Sequence, residues 1–142
     1  HCISSAASDV YKRQVLGSAE NLPFEDNSFD NVFCSFVWRN VSDTNNALNE
    51  VYRVLRPGGK FVLLDMTRPK NSFLRMLHKI GTFKVLHLIG LITFNLKEYR
   101  FLYKSLDFYP QPEEHLNKDN FIDLKIERMG VFNFVYLAVF TK

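Results

Sequence analysis

Cysteine, proline and glycine are all scarce in this chain of 142 residues, which has two Cys, five Pro and six Gly. Cys2 and Cys34 supply neither a disulfide framework nor a metal-ligand spacing, so no metal is expected and a reducing compartment is the simpler setting. Gly and Pro at this level exclude collagen-like and low-complexity chains. Neither charge is in marked excess: 18 Lys and Arg stand against 15 Asp and Glu, a net charge of +3. That bias is too small to point to nucleic acid as a partner. No uninterrupted apolar run approaches the roughly 18 residues of a membrane span. What is abundant is aromatic, 15% of residues with 14 Phe, within a hydrophobic content of 46%. The composition is globular and the length suits one domain. So much Phe implies a large apolar core, an apolar ligand, or both.

The chain opens on His1 instead of Met. Ser4 to Gln14 reads SSAASDVYKRQ and resembles one translated frame of a common sequencing adapter; the alternative is a polar tail. Residues 1–14 are therefore expected to be foreign, and fold reasoning begins at Val15. On that reading the natural protein continues upstream, and 15–142 is the C-terminal half of a domain.

Gly17 to Ser28 reads as a polar loop, and Phe29 to Phe36 as a strand buried on both faces. Ser42 or Asp43 can cap the helix that follows, in which Ala47, Leu48, Val51, Tyr52, Val54 and Leu55 fall at helical spacing. Arg56-Pro57-Gly58-Gly59 is expected to stop that helix in a tight reversal. A second buried strand, Lys60 to Asp65, completes a βαβ unit with parallel strands. Asn71 to Phe108 has a helical pattern with breaks expected at Gly81 and Gly90. Its apolar stripe is Leu74, Leu77, Ile80, Phe83, Leu86 and Ile89, opposite Arg75, His78, Lys79 and Lys84. Phe121 to Glu127 and Val131 to Thr141, joined at Met129-Gly130, suggest a terminal antiparallel hairpin.

The run GSAENLPFEDNSFDNVFCSFVWRNVSD, followed by LNEVYRVLRPGGKFVLLDMTRP, resembles the class I S-adenosylmethionine-dependent methyltransferases. Within them it is most similar to the C-methyltransferases of ubiquinone and menaquinone biosynthesis. The resemblance runs from about Val15 to Pro112. Its more specific parts are S-F-x-x-R-N-V-x-D (Ser35 to Asp43) and Y-R-F-L-x-x-S (Tyr99 to Ser105). It implies an α/β, Rossmann-like fold with the cofactor S-adenosylmethionine across the carboxyl ends of parallel strands. The acceptor it implies is a small lipophilic quinol, methylated at a ring carbon.

Carried over by position, the resemblance puts Ser18 and Ala19 beside the adenine and makes Ser35 and Phe36 further cofactor contacts. Ser18 stands where the family usually has Asp or Asn, which implies weaker anchoring of the base. Arg39 and Asn40 match the reaction centre. A guanidinium stays protonated, so Arg39 would stabilise a phenolate or orient a water; the alternative is an ion pair with Asp43. Trp38 replaces an aliphatic residue and either stacks on a ring substrate or packs in the core. Tyr99 lines the substrate cavity or packs in a lid.

His78 and His87 fit one helix face poorly and are expected to be solvent-facing or satisfied in the core. Cys34 reads as a small buried hydrophobe. The glycine-rich loop and the acid that hold the cofactor in this family are not matched, and the helix usual between Gln111 and Phe121 is short. Phe73 to Phe94 is a candidate lid, or an interfacial element at a membrane surface whose basic side meets anionic lipid. The expected location is cytoplasmic, with peripheral contact at a membrane surface as a further option. Rival functions are methyl transfer to another small molecule and non-catalytic binding. The oligomeric state is not legible.

Overall fold

A computed structural model describes residues 14–116, 120–130 and 133–142; the adapter-like segment, apart from Gln14, lies outside them. The elements in chain order are β1 (Phe29–Ser35), a 3-10 turn (Trp38–Asn40), α1 (Thr44–Val54), β2 (Leu55–Met66) and α2 (Ser72–Ile92). They continue with α3 (Leu96–Phe108), α4 (Pro112–His115), β3 (Asp123–Met129) and β4 (Val135–Thr141). The strands form one sheet in the order β1-β2-β4-β3. Asn27 and Ser28 donate to the carbonyls of Arg53 and Val54, so β1 and β2 enter the sheet in the same sense. Gly58 pairs with Lys142, and Thr67 with Phe134, so β4 runs opposite to β2. The hairpin is present, and its second strand inserts next to β2.

The described residues fall into two compact units. The first spans 14–63, 120–124 and 139–142. Asp43 caps α1 by accepting from Asn46 N–H at 3.0 Å. Ala47, Leu48, Val51 and Val54 bury one face of that helix at helical spacing. They join an aromatic core in which Phe61 lies 5.4 Å from Trp38 and 5.5 Å from Phe140, ring centre to ring centre.

Arg56-Pro57-Gly58-Gly59 is not a reversal. The helix ends at Val54 and β2 begins at once. Gly59 is required by proximity: a Cβ there would lie 2.8 Å from the carbonyl oxygens of both Arg56 and Asp30. Nor is β1 buried on both faces. It stands at the outer end of the strand order, and Phe33 is 68% exposed.

The second unit spans 64–116, 125–130 and 133–138. Asn71 starts α2 by accepting from the N–H groups of Phe73 and Leu74. Contrary to the breaks expected at Gly81 and Gly90, the helix continues through both and ends at Ile92. A Cβ added at Gly81 would meet nothing within 4 Å, so this glycine costs helix propensity without serving any close approach. Gly90 is buried where α3 approaches: a Cβ would sit 3.2 Å from Leu96 Cα. The inner face of α2 is Leu74, His78, Thr82, Leu86 and Ile89, while Leu77, Ile80 and Phe83 are about half exposed. The expected stripe, stepping by three, drifts around a helix of 3.6 residues per turn. No helix among the described residues is long and apolar enough to cross a membrane.

Candidate functional site

In the first unit, a pocket of about 310 Å3 is lined by the loop from Gly17 to Phe24, by β1 and by the turn after it. Ser18, Ala19, Ser35 and Trp38 all contribute to its wall. The loop is fastened by carboxylates. Glu20 accepts from the N–H groups of Ser42 at 3.1 Å and Asp43 at 3.3 Å, just ahead of α1, and from the Ser18 hydroxyl. The Ser18 bond, followed by that from Asp43, holds the Glu20 carboxyl below its ordinary range. With its hydrogen committed to Glu20, the Ser18 oxygen retains acceptor capacity for a ligand.

Glu50 and Arg53 on α1 hold the rest of the loop. Glu50 accepts from Leu22 N–H at 2.8 Å. Arg53 donates to the carbonyls of Phe24 at 2.8 Å and Leu22 at 3.0 Å, and to Asp26 at 2.7 Å. Its hydrogen bond to Glu50 is the main reason that carboxyl is lowered to about 2.

Ser35 ends β1, and Phe36 follows in the left-handed region at φ 56°. A bulky residue there is strained, and strain of this kind gathers at functional turns. Phe36 is half exposed. The turn then carries Trp38, Arg39 and Asn40. Trp38 is 2% exposed against Phe61, and its indole N–H has no hydrogen-bond partner among the described residues. A buried donor without an acceptor costs about 1–3 kcal/mol of stability. Arg39 is half buried, Asn40 exposed, and Cys34 half buried in the pocket wall.

Tyr99 belongs to the second unit, half buried between α2 and α3 in a cleft of about 170 Å3 with Phe83, His87 and Tyr103. A larger, apolar pocket of about 460 Å3 lies among Met66, Leu77, Val85, Leu102, Leu106 and Phe134, with His78 and Thr82 as its polar groups.

Behind it is a hub that the sequence did not single out. Arg68, 4% exposed, donates to Asp107 at 3.0 Å, to Thr82 at 2.8 Å and to His78 Nδ1 at 3.2 Å. Arginine has no acceptor, so His78 Nδ1 must accept, and the ring is neutral with its proton on Nε2. Burial and then the Arg68 charge keep His78 below the ordinary imidazole range. Also missed was a pair near α4: His115 Nδ1 bonds to the Gln111 carbonyl at 2.8 Å, leaving Nε2 to accept from the Tyr109 hydroxyl at 2.6 Å. A His four residues after a carbonyl acceptor in a Pro-led turn is the local signal for that pair.

Residues 5–129 match the family model described as the ubiE/COQ5 methyltransferase family. Among curated proteins, the ubiquinone/menaquinone biosynthesis C-methyltransferase UbiE of Rickettsia bellii is 46% identical over 100 residues, 70% of this chain and 40% of that protein. The mitochondrial 2-methoxy-6-polyprenyl-1,4-benzoquinol methylase of Bos taurus is 40% identical over 101 residues, 70% of this chain and 31% of that protein. The chain thus spans about two fifths or less of the length of these relatives. Among solved structures, a SAM-dependent methyltransferase of Thermotoga maritima, described as a possible histamine N-methyltransferase, superposes with a TM-score of 0.58 at 22% identity. That match covers 89% of this chain and 62% of the other, and it establishes a partial class I methyltransferase fold.

Proposed function

The chain belongs to the ubiE/COQ5 methyltransferase family, and we propose that it serves as the acceptor-side part of an enzyme that methylates a ring carbon of a prenylated quinol. The methyl donor is S-adenosylmethionine, which supplies an electrophilic methyl on a sulfonium. The observation that carries the reading is local. From the segment Ser35 to Asp43, the residues Ser35, Val37, Trp38 and Val41 line the pocket, and Arg39 sits on the turn between β1 and α1.

One feature of the pocket suits the donor: Ser18 presents an acceptor to an adenine amine, with Ala19 beside it. Ser35 and Phe36 flank the same strand end. Arg39 remains a cation throughout; its part is to hold the phenolate formed when the quinol loses a proton, which raises the nucleophilicity of the ring carbon. Asn40 orients the acceptor beside it. The remaining work is alignment of that carbon with the methyl group. Transfer breaks the sulfonium's bond to the methyl and would leave the donor as a neutral thioether, and the proton released from the ring carbon passes to water.

The test uses the protein in the longest form its gene encodes, with methyl-labelled donor and three acceptors: a demethylated prenyl quinol, a sterol and a small amine. Label in the quinol is the expected result. Label only in the amine or sterol would move the acceptor class, and donor binding without transfer to any of the three would leave a binding protein.

A further inference from the structure

We propose that the α2–α3 hairpin docks on an anionic phospholipid bilayer through the outer face of α2 and the tip at Phe94. The inference stands apart from the methyl-transfer reading, because it needs neither donor nor acceptor. Three observations carry it.

The first is an apolar stripe facing outward. Phe73, Leu77, Ile80, Leu88 and Leu91 recur with the period of the helix and are each about half exposed or more, with Lys84 completing the row. The inner face of α2 is also largely apolar, so beyond Ser72 the polar groups it shows to water reduce to Arg75, Lys79, Lys84 and His87, three of them cations. An exposed apolar stripe of this length is ordinarily covered.

The second is charge. From Lys70 to the end of α3 there are seven Lys or Arg and two acids, Glu98 and Asp107, whereas the rest of the chain has more acids than bases. Lys70 and Lys79 are paired with Glu113 and Asp107. Lys84, Lys97, Arg100 and Lys104 have no ion-pair partner among the described residues. A second copy of the hairpin would bring like charges together, while an anionic surface attracts them.

The third is the tip. Asn95 N–H bonds to the Gly90 carbonyl at 3.0 Å and Phe94 N–H to that of Leu91 at 3.4 Å, the double closure of a Schellman motif. Its left-handed residue is usually glycine, but here it is Phe94, at φ 57° and 95% exposed. The strain of that position and the exposure of the ring both work against folding in water. An aromatic wedge at a membrane interface offsets both.

Flotation with vesicles separates lipid-bound protein from aggregate, which sediments. The longest gene-encoded form should float with phosphatidylcholine–phosphatidylglycerol vesicles and several-fold less with phosphatidylcholine alone. Lys84→Gln should lower partitioning about fivefold, the effect of one cation near an anionic surface. Phe94→Gly should raise the melting temperature, since glycine suits the left-handed position, and yet reduce flotation. Wild-type protein that fails to float, or a Phe94→Gly variant that floats unchanged, would overturn the proposal. So would a dimer that Leu88→Ser dissociates in the absence of lipid binding. Methyl transfer measured in detergent is indifferent to all of these outcomes.

Discussion

Arg68 and Asp107, 39 residues apart in sequence, meet at 3.0 Å with the guanidinium 4% exposed. The other oxygen of Asp107 takes Lys79 Nζ at 2.8 Å, so one carboxylate ties the arginine after β2 to both helices of the hairpin. Asp107→Ala leaves a buried cation short of its counter-charge and should cost about 3 kcal/mol in urea unfolding. Arg68→Met removes the buried charge itself while keeping an unbranched chain in place, and should cost less. The reverse order would mean that the pair is not the main support of this region.

His78 and His115 should make the fold weaken in mild acid. Burial pushes both below the usual imidazole range. Below a pH of about 6.5 the unfolded chain takes up protons that the folded chain refuses, so stability falls as pH drops from about 7 through 6. Urea titrations across that window should show the loss, and His78→Gln should flatten part of it.

A second, more acidic limb belongs to Glu50 and Glu113. Hydrogen bonds from Arg53 and Arg128 are the leading reasons that both carboxyls are lowered to about 2. Their stabilisation is complete above the unfolded value and is lost as pH falls from about 5 toward 2. Glu50→Gln should be less stable at neutral pH and show a shallower acid limb, read by circular dichroism during acid titration.

Gly59→Ala should destabilise by about 1–3 kcal/mol, the range for forcing atoms into a filled space. The neighbours are backbone oxygens at 2.8 Å and cannot rotate away. Gly81→Ala, where nothing lies within 4 Å, should instead stabilise slightly through helix propensity. Thermal melts of the two variants should move in opposite directions.

Arg39→Lys keeps a charge but loses the planar fork, and Arg39→Ala loses both. In the longest gene-encoded form, Arg39→Ala should lower kcat for the quinol about a hundredfold, a magnitude typical of one lost transition-state contact. Donor affinity by calorimetry should be unchanged. Loss of donor binding would place Arg39 in the cofactor pocket instead.

The βαβ unit was legible because its signals are local: the Phe29 run, the Asp43 cap and the spacing from Ala47 to Val54 act within a few residues. Glycines misled. Gly59, Gly81 and Gly90 read as punctuation, yet Gly59 admits the carbonyl of Asp30 and Gly90 admits α3, neither of which is visible in the neighbouring sequence. Ser18, Ala19 and Ser35, which the resemblance gives to the cofactor, and Trp38, which it gives to the substrate or the core, line one pocket. Arg68 was not legible, because its partners lie 10, 14 and 39 residues away and no spacing rule connects them.

The strand order β1-β2-β4-β3 also has a consequence in time. During synthesis β3 leaves the ribosome before β4, yet its place in the sheet is defined only by β4. Until β4 has emerged, β2 has an open flank and β3 has nowhere to dock. This region therefore matures only after β4 is made.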